Sequence, residues 1–238
     1  GLRGKAVIES AMARGARVLL RVLPIGARAK LKQDFTPIVR LDYRPHEVLL
    51  HADSPDALYR AAACRKEPET IRWIEQAIRP GDVMYDVGAN VGAYALVASK
   101  HCGGAITVLA FEPSFATYDQ LCRNILLNGC EASVIPHLMC LTERPGLVRF
   151  GHTSLALGSA LHISGGTPEG QTSIVYWQEI PGFSIDFLVS QFGFPVPNHI
   201  KIDVDGSELN VLRGAADTLD SDRVRTIQVE VSPQDPSS

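Results

Sequence analysis

Val83-Met84-Tyr85-Asp86-Val87 runs straight into Gly88-Ala89-Asn90-Val91-Gly92, and this stretch decides the fold. A short apolar run that meets a glycine turn reads as a buried strand, and the turn signal Pro80-Gly81 marks its start. Beyond the turn lies alanine-rich Ala93–Cys102, a predicted helix stopped by Gly103-Gly104. A second strand is predicted over Ile106–Phe111, ending at Glu112-Pro113. The next helix runs from Ser114 to Asn128, with Phe115, Tyr118, Leu121, Cys122, Ile125 and Leu126 on one stripe. Val134–Leu138 supplies a third strand. Strands alternating with helices through short connections give a parallel sheet with right-handed crossovers. The fold class is therefore α/β, a doubly wound, mostly parallel sheet of Rossmann-like type.

Further along, the pattern changes and then returns. Leu147–Gly151, Ala160–Ile163 and Ser173–Ile180 read as short strands among Gly, Ser, Thr and Pro, forming either a small antiparallel elaboration or a long functional loop. Ser184–Phe192 is a predicted helix and Ile200–Val204 a buried strand. Ser207–Leu219 follows as one helix with Leu209, Leu212, Ala216 and Leu219 facing the core, and Thr226–Val231 as a last strand. In the other direction, residues 1–32 hold eight Lys/Arg against one acid, Glu9, so the remainder carries −10 of an overall charge of −3. Arginines interrupt the helical spacing of Ala6–Leu23 throughout, which excludes a secretory signal. We read it as a solvated cap helix, with a basic amphipathic helix drawn to anionic surfaces as the alternative. The chain thus divides into a partly helical N-terminal extension, residues 1–64, and a main domain, residues 65–238.

Composition narrows the function. The chain has 238 residues, 45% of them apolar, enough for a sizeable core. A pI near 6.2 argues against a nucleic-acid binder that works by bulk charge. No apolar run approaches the roughly 18 residues of a membrane span. Five cysteines without a CxxC pair fit a reducing cytoplasm. The histidines show neither HxxxH nor HxH spacing, so zinc has no support. Asp203, Asp205, Glu208 and Glu230 form a hard-oxygen set of the kind magnesium takes. We read them instead as cap residues and cofactor-side acids, and expect no metal.

In an open α/β sheet, ligands bind beyond the carboxyl ends of the strands. Asp86, Glu112 and Asp203 each close a strand and together define one rim. Gly88 and Gly92 allow close backbone approach. Glu112 lies about 20 residues past the turn, where a carboxylate can accept ribose hydroxyls. We expect it at a solvent-accessible strand end. The turn G-A-N-V-G matches neither G-x-G-x-x-G nor a Walker loop. A carboxylate just before such a turn suits a ligand that carries ammonium and sulfonium charge, which describes S-adenosylmethionine.

These residues carry a resemblance. Asp-Val-Gly-Ala-Asn-Val-Gly at 86–92, Ala-Phe-Glu-Pro-Ser at 110–114, Asn124 with Leu127-Asn128-Gly129, and above all Lys201-Ile202-Asp203-Val204-Asp205-Gly206-Ser207-Glu208 resemble the FkbM family of class I methyltransferases. Gln228-Val229-Glu230-Val231 is similar to the family's following strand, and Lys66-Glu67-Pro68-Glu69-Thr70 to its lead-in. The likeness covers roughly residues 65–232. It departs around Met139–Glu143, where the family's Gly-Asp is replaced. A class I domain also continues past the fifth strand with a helix and an antiparallel strand pair that these 238 residues do not contain.

The resemblance implies S-adenosylmethionine as cofactor, with Glu67, Thr70, Asp86, Gly88, Ala89, Asn90, Gly92, Glu112 and Pro113 around it. It implies methyl transfer to a hydroxyl of a sugar, a polyketide or another small metabolite. Asp203 is the first candidate for the base, Lys201 would orient it or stabilise an oxyanion, and Glu208 is the third candidate. Glu208 also fits a plain first-turn helix acid. His199, on the same strand face as Asp203, is the alternate base. The competing functions are a non-catalytic nucleoside-binding module and a nucleotide-dependent oxidoreductase. A homo-oligomer is compatible with all three.

Overall fold

The computed structural model describes residues 21–152, 163–164, 174–204 and 206–230. Most of the predicted Ala6–Leu23 helix and of Ala160–Ile163, together with Asp205 and Val231, lies outside them. The chain forms two compact units, residues 1–37 and 38–238. The described part of the first is a helix, α1 (Ile25–Asp34), entered through Pro24.

The second unit begins with a hairpin, β1 (Ile38–Arg40) and β2 (Leu49–His51), and the short helices α2 (Pro55–Arg60) and α3 (Ala63–Lys66). Next come α4 (Pro68–Ala77), β3 (Val83–Val87), α5 (Ala93–His101), β4 (Thr107–Phe111), α6 (Phe115–Leu127) and β5 (Val134–His137). A second sheet is built from β6 (Cys140–Leu141), β7 (Gly146–His152), β8 (Ile163–Ser164) and β9 (Tyr176–Phe183). The chain then returns to the main sheet through α7 (Ile185–Phe192), β10 (His199–Ile202), α8 (Glu208–Arg213), α9 (Ala216–Leu219) and β11 (Thr226–Val229).

The main sheet has the order β11-β10-β3-β4-β5, and every neighbouring pair is parallel. Winding runs outward from β3 through β4 to β5 and then restarts at β10 on the other side of β3. The point of reversal therefore lies between β3 and β10, where Asp86 sits in register with Lys201. Side-chain alternation splits the core into two layers. Met84, Val108, Ala110 and Val134 pack under α4, α5 and α6. Tyr85, Val87, Leu109, Phe111, Ile200 and Ile202 pack on the opposite face against α7 and α8. Asp86 and Lys201 share the first face by the period of two and so lie beneath α5.

Two boundaries differ from the sequence reading. The compact unit starts at Ile38, and polar side chains of α6 explain why. Asn124 Oδ1 accepts from His51 N–H at 2.8 Å, Asn128 Oδ1 accepts from Leu49 N–H at 2.9 Å, and Gln120 Nε2 donates to His51 O at 2.6 Å. These groups satisfy the backbone of β2 and hold the hairpin on the domain, so that Leu41, Val48 and Leu50 join its core. The helix expected over Ser207–Leu219 is two short helices broken at Gly214-Ala215. There the backbone passes so close to Thr142 O that a side chain at Gly214 would collide with it. The described residues of 140–183 form the antiparallel elaboration, apart from one parallel pairing of β6 with β9.

Candidate active site

The site forms where β3, β4, β10 and β11 end. Gly88, with φ of +78°, turns the chain after β3. A Cβ there would strike the Asp203 carbonyl oxygen, so the turn and the end of β10 touch backbone to backbone. Asn90 also adopts the left-handed conformation, with φ of +50°. This aims its N–H at Glu112 Oε2 (2.9 Å), while Ser114 N–H donates to Glu112 Oε1 (2.8 Å).

Glu112 is 5% exposed, which corrects the expectation of an accessible strand end. Burial pushes its carboxyl up to about 7, against the pull of the Ser114 and Asn90 amides. Asp86 is fully buried, and neither of its oxygens has a hydrogen-bond partner among the described residues. Burial raises its carboxyl to about 6 even with the Lys201 ammonium nearby. Lys201 Nζ donates to Asp203 Oδ2 at 3.0 Å and lies 4.8 Å from the Tyr94 ring centre. Burial alone would lower the lysine's pKa, but the Asp203 and Asp86 carboxylates hold it above its ordinary value. The ammonium likewise overcomes the burial of Asp203 and keeps that carboxyl below its usual range.

Beside Asp203 stand Glu67 and Glu230, with the three carboxylates all within 4.8 Å of one another. Burial and the neighbouring Asp203 charge raise Glu230 to about 7. Four acids thus gather round one buried ammonium, with Arg60 and Lys66 also lining the cleft. S-adenosylmethionine brings an ammonium and a sulfonium suited to such acids and a carboxylate suited to such cations, and Gly88 leaves open backbone where a ligand can approach.

The cleft has a volume of about 970 Å³, at the upper end of the roughly 300–1,000 Å³ range of small-molecule sites. Of the residues expected there, Glu67, Gly88, Asn90, Glu112, Pro113 and Asp203 line it. Ala89 lines a small adjoining recess with Lys66 and Tyr94. Thr70 is buried behind the wall, its hydroxyl donating to Glu67 Oε2 at 3.4 Å. Gly92 packs on Leu121. Glu208 is not among the lining residues; its carboxylate accepts from Gly206 N–H at 3.0 Å and Val204 N–H at 3.4 Å, bracing the loop after β10. His199 stands at the other end of β10, donating to or accepting from Asp82 and Thr226, and does not reach the cleft. Reading the sequence did not place Arg60 and Lys66, or the wall built from 139–150, in this cleft. No local motif marks them; they arrive by packing.

The profile of the Methyltransferase FkbM domain matches residues 86–237. This chain is an FkbM-family methyltransferase. Its family's methyl donor, S-adenosylmethionine, is accordingly its cofactor. Among proteins similar to this FkbM-family chain is the hexuronic acid methyltransferase AglP of Haloferax volcanii, 31% identical over 76% of this chain and 71% of its own. Another is the 31-O-demethyl-FK506 methyltransferase FkbM of Streptomyces tacrolimicus, 29% identical over 66% of this chain and 68% of its own. A solved precorrin-6y C5,15-methyltransferase of Geobacter metallireducens aligns with a TM-score of 0.42 and 14% identity, over 71% of this chain and 63% of its own. No helix of the described residues is long and apolar enough to cross a membrane.

Proposed function

We propose that this enzyme methylates a hydroxyl oxygen of a sugar, a polyketide or a related small metabolite. The names of the two relatives support that class of acceptor, since one acts on a hexuronic acid and the other on 31-O-demethyl-FK506. The observation that carries the reading is Asp203, held by Lys201 at 3.0 Å and facing the cleft beside the glycine turn.

The bound cofactor supplies an electrophilic methyl group on its sulfonium. Glu67 offers negative charge to its ammonium from the cleft wall, while Asp86, fully buried and lining neither the cleft nor the recess, acts through Lys201. Each Glu112 oxygen already accepts one backbone N–H and keeps a further lone pair for a ribose hydroxyl. Asp203 holds the acceptor hydroxyl in line, which is where much of the rate in a displacement of this kind arises. A hydroxyl has a very high pKa, so its proton must leave as the oxygen attacks. Asp203 accepts that proton in the first instance, and Glu230, raised to about 7, is placed to relay it. Lys201 and Glu208 are positioning residues: the first fixes the Asp203 carboxylate, the second the loop behind it.

The test combines calorimetric titration with S-adenosylmethionine and transfer of a labelled methyl group to a panel of hexoses, uronic acids and macrolides. Saturable cofactor binding and label on oxygen are expected. A folded protein that does not bind the cofactor would sink the proposal.

A further inference from the structure

The cations of the cleft fall into two groups. Arg60 and Lys66 line both the large cleft and the small recess at the glycine turn, so they lie on the cofactor's side. The cofactor has a single carboxylate, and two cations on its side suffice to meet it. Arg144 and Arg149 line only the large cleft, on the wall contributed by the second sheet. Nothing in a cationic cofactor calls for them there, and a neutral acceptor gives them no partner.

Their settings leave their donors available. The Arg149 guanidinium lies 4.3 Å from the centre of the Trp177 ring, and it forms no ion pair among the described residues. Stacking fixes the plane of a guanidinium while leaving its N–H edge unspent. Arg144 is paired at 3.6 Å with Glu143, the only acid among the lining residues of that wall, and Glu143 is itself shared with Arg213 at 4.0 Å. The Arg144 side chain is 87% exposed, and an exposed pair of this kind is weak and easily exchanged for a better partner. Two guanidiniums on one wall, one preset by an aromatic face, present forked donors suited to a carboxylate or a phosphate.

We propose that the methyl acceptor is an anion, whose carboxylate or phosphate is bound by Arg144 and Arg149 while its hydroxyl is held at Asp203. This rests on the methyltransferase reading above and narrows its substrate class. The acidic strand ends bind the cofactor's positive charge, and the basic wall binds the acceptor's negative charge. Opposite charges thus orient the two ligands in one cleft.

The test uses the protein loaded with S-adenosylhomocysteine, titrated with a methyl glucuronide, a hexose phosphate and the neutral methyl hexoside. At least one anion is expected to bind about tenfold or more tightly than the neutral sugar, as hydrogen bonds to a charged group imply. That advantage should shrink in Arg149→Met and in Arg144→Gln, and shrink with added salt. Preference for the glucuronide assigns a sugar acid; preference for the phosphate assigns a phosphorylated sugar. Equal binding of all three, including none, overturns the proposal, as does an anion preference that survives in both variants. S-adenosylmethionine affinity measured on the same samples separates the two readings. If it is lost in the wild type, the methyltransferase reading fails. If it is intact with no anion preference, only this inference fails.

Discussion

Strand β10 carries a charged cluster at each end, and the two clusters are built on opposite terms. At its amino end, Asp82 accepts from His199 Nε2 (3.0 Å), from Arg79 N–H (2.8 Å) and from Arg225. His199 Nδ1 and Trp73 Nε1 both reach Thr226 Oγ1, at 2.7 and 2.9 Å. Each polar group there has a partner within the protein. At the carboxyl end, neither Asp86 oxygen has a close hydrogen-bond partner among the described residues, and Glu67, Asp203 and Glu230 crowd round one ammonium. Burying polar groups costs free energy unless they are paired. The satisfied cluster is therefore a clamp that ties β10 to β11 and β3. On the proposed reading, the other is the acidic side of a binding site that a cationic ligand completes.

The largest effect that sharpens this contrast is expected from Asp203→Asn. It keeps the shape but removes the charge, and turnover should fall by roughly 10²–10⁴, the span of general acid–base assistance. Cofactor affinity should stay within a few-fold of wild type. Loss of cofactor binding in a folded variant would instead place Asp203 in the cofactor's half of the site.

The clamp should respond in the opposite way. Asp82→Ala removes three hydrogen bonds and is expected to cost about 3 kcal/mol of stability in denaturant unfolding. Calorimetric affinity for S-adenosylmethionine should not change below the midpoint. A large drop in affinity would break the division between the two ends.

Glu112→Ala should do both things at once, more modestly. Losing the ribose contact is expected to weaken cofactor binding by about 1.5–3 kcal/mol. Leaving the Asn90 and Ser114 amides without their acceptor should cost stability as well, by about 1–3 kcal/mol. A variant of wild-type stability with full cofactor affinity contradicts the assignment.

The smallest effect is the pH response, and its sign differs between the ends. Asp86 is raised to about 6, and Glu112 and Glu230 to about 7. Groups with raised folded-state values contribute stability below their ordinary values and lose it as pH climbs through 6 to 7. The ligand-free protein should therefore weaken over that range. Cofactor affinity should rise, by about tenfold between pH 6 and 8, because a cation prefers the ionised acids. Asp82 runs the other way: its hydrogen bonds overcome burial and lower its pKa, so its contribution is lost only as pH falls below the ordinary aspartate value. Cofactor affinity that is flat from pH 6 to 8 would show that these acids are not its counter-charge.

What the sequence by itself determined is local. A glycine turn after an apolar run, two crossover helices and the Lys201–Glu208 stretch are set by side-chain periodicity and turn chemistry, which neighbouring residues carry without help. They sufficed for the parallel sheet, for Gly88 and Asp203 at the cleft, and for the family, whereas Asp86, expected on the same rim, lies buried beneath it. Only the tertiary structure decided the rest. The sheet order put Asp86 against Lys201, and the register of β10 with β11 brought Glu230 beside Asp203. Burial under the turn of Asn90 made Glu112 an enclosed acid instead of an accessible one. Asn124 and Asn128 drew residues 38–51 into the domain, and the second sheet carried Arg149 to the cleft. Such contacts join residues tens to more than a hundred positions apart. Their geometry depends on which strand lies next to which, and the packing of the whole core chooses that.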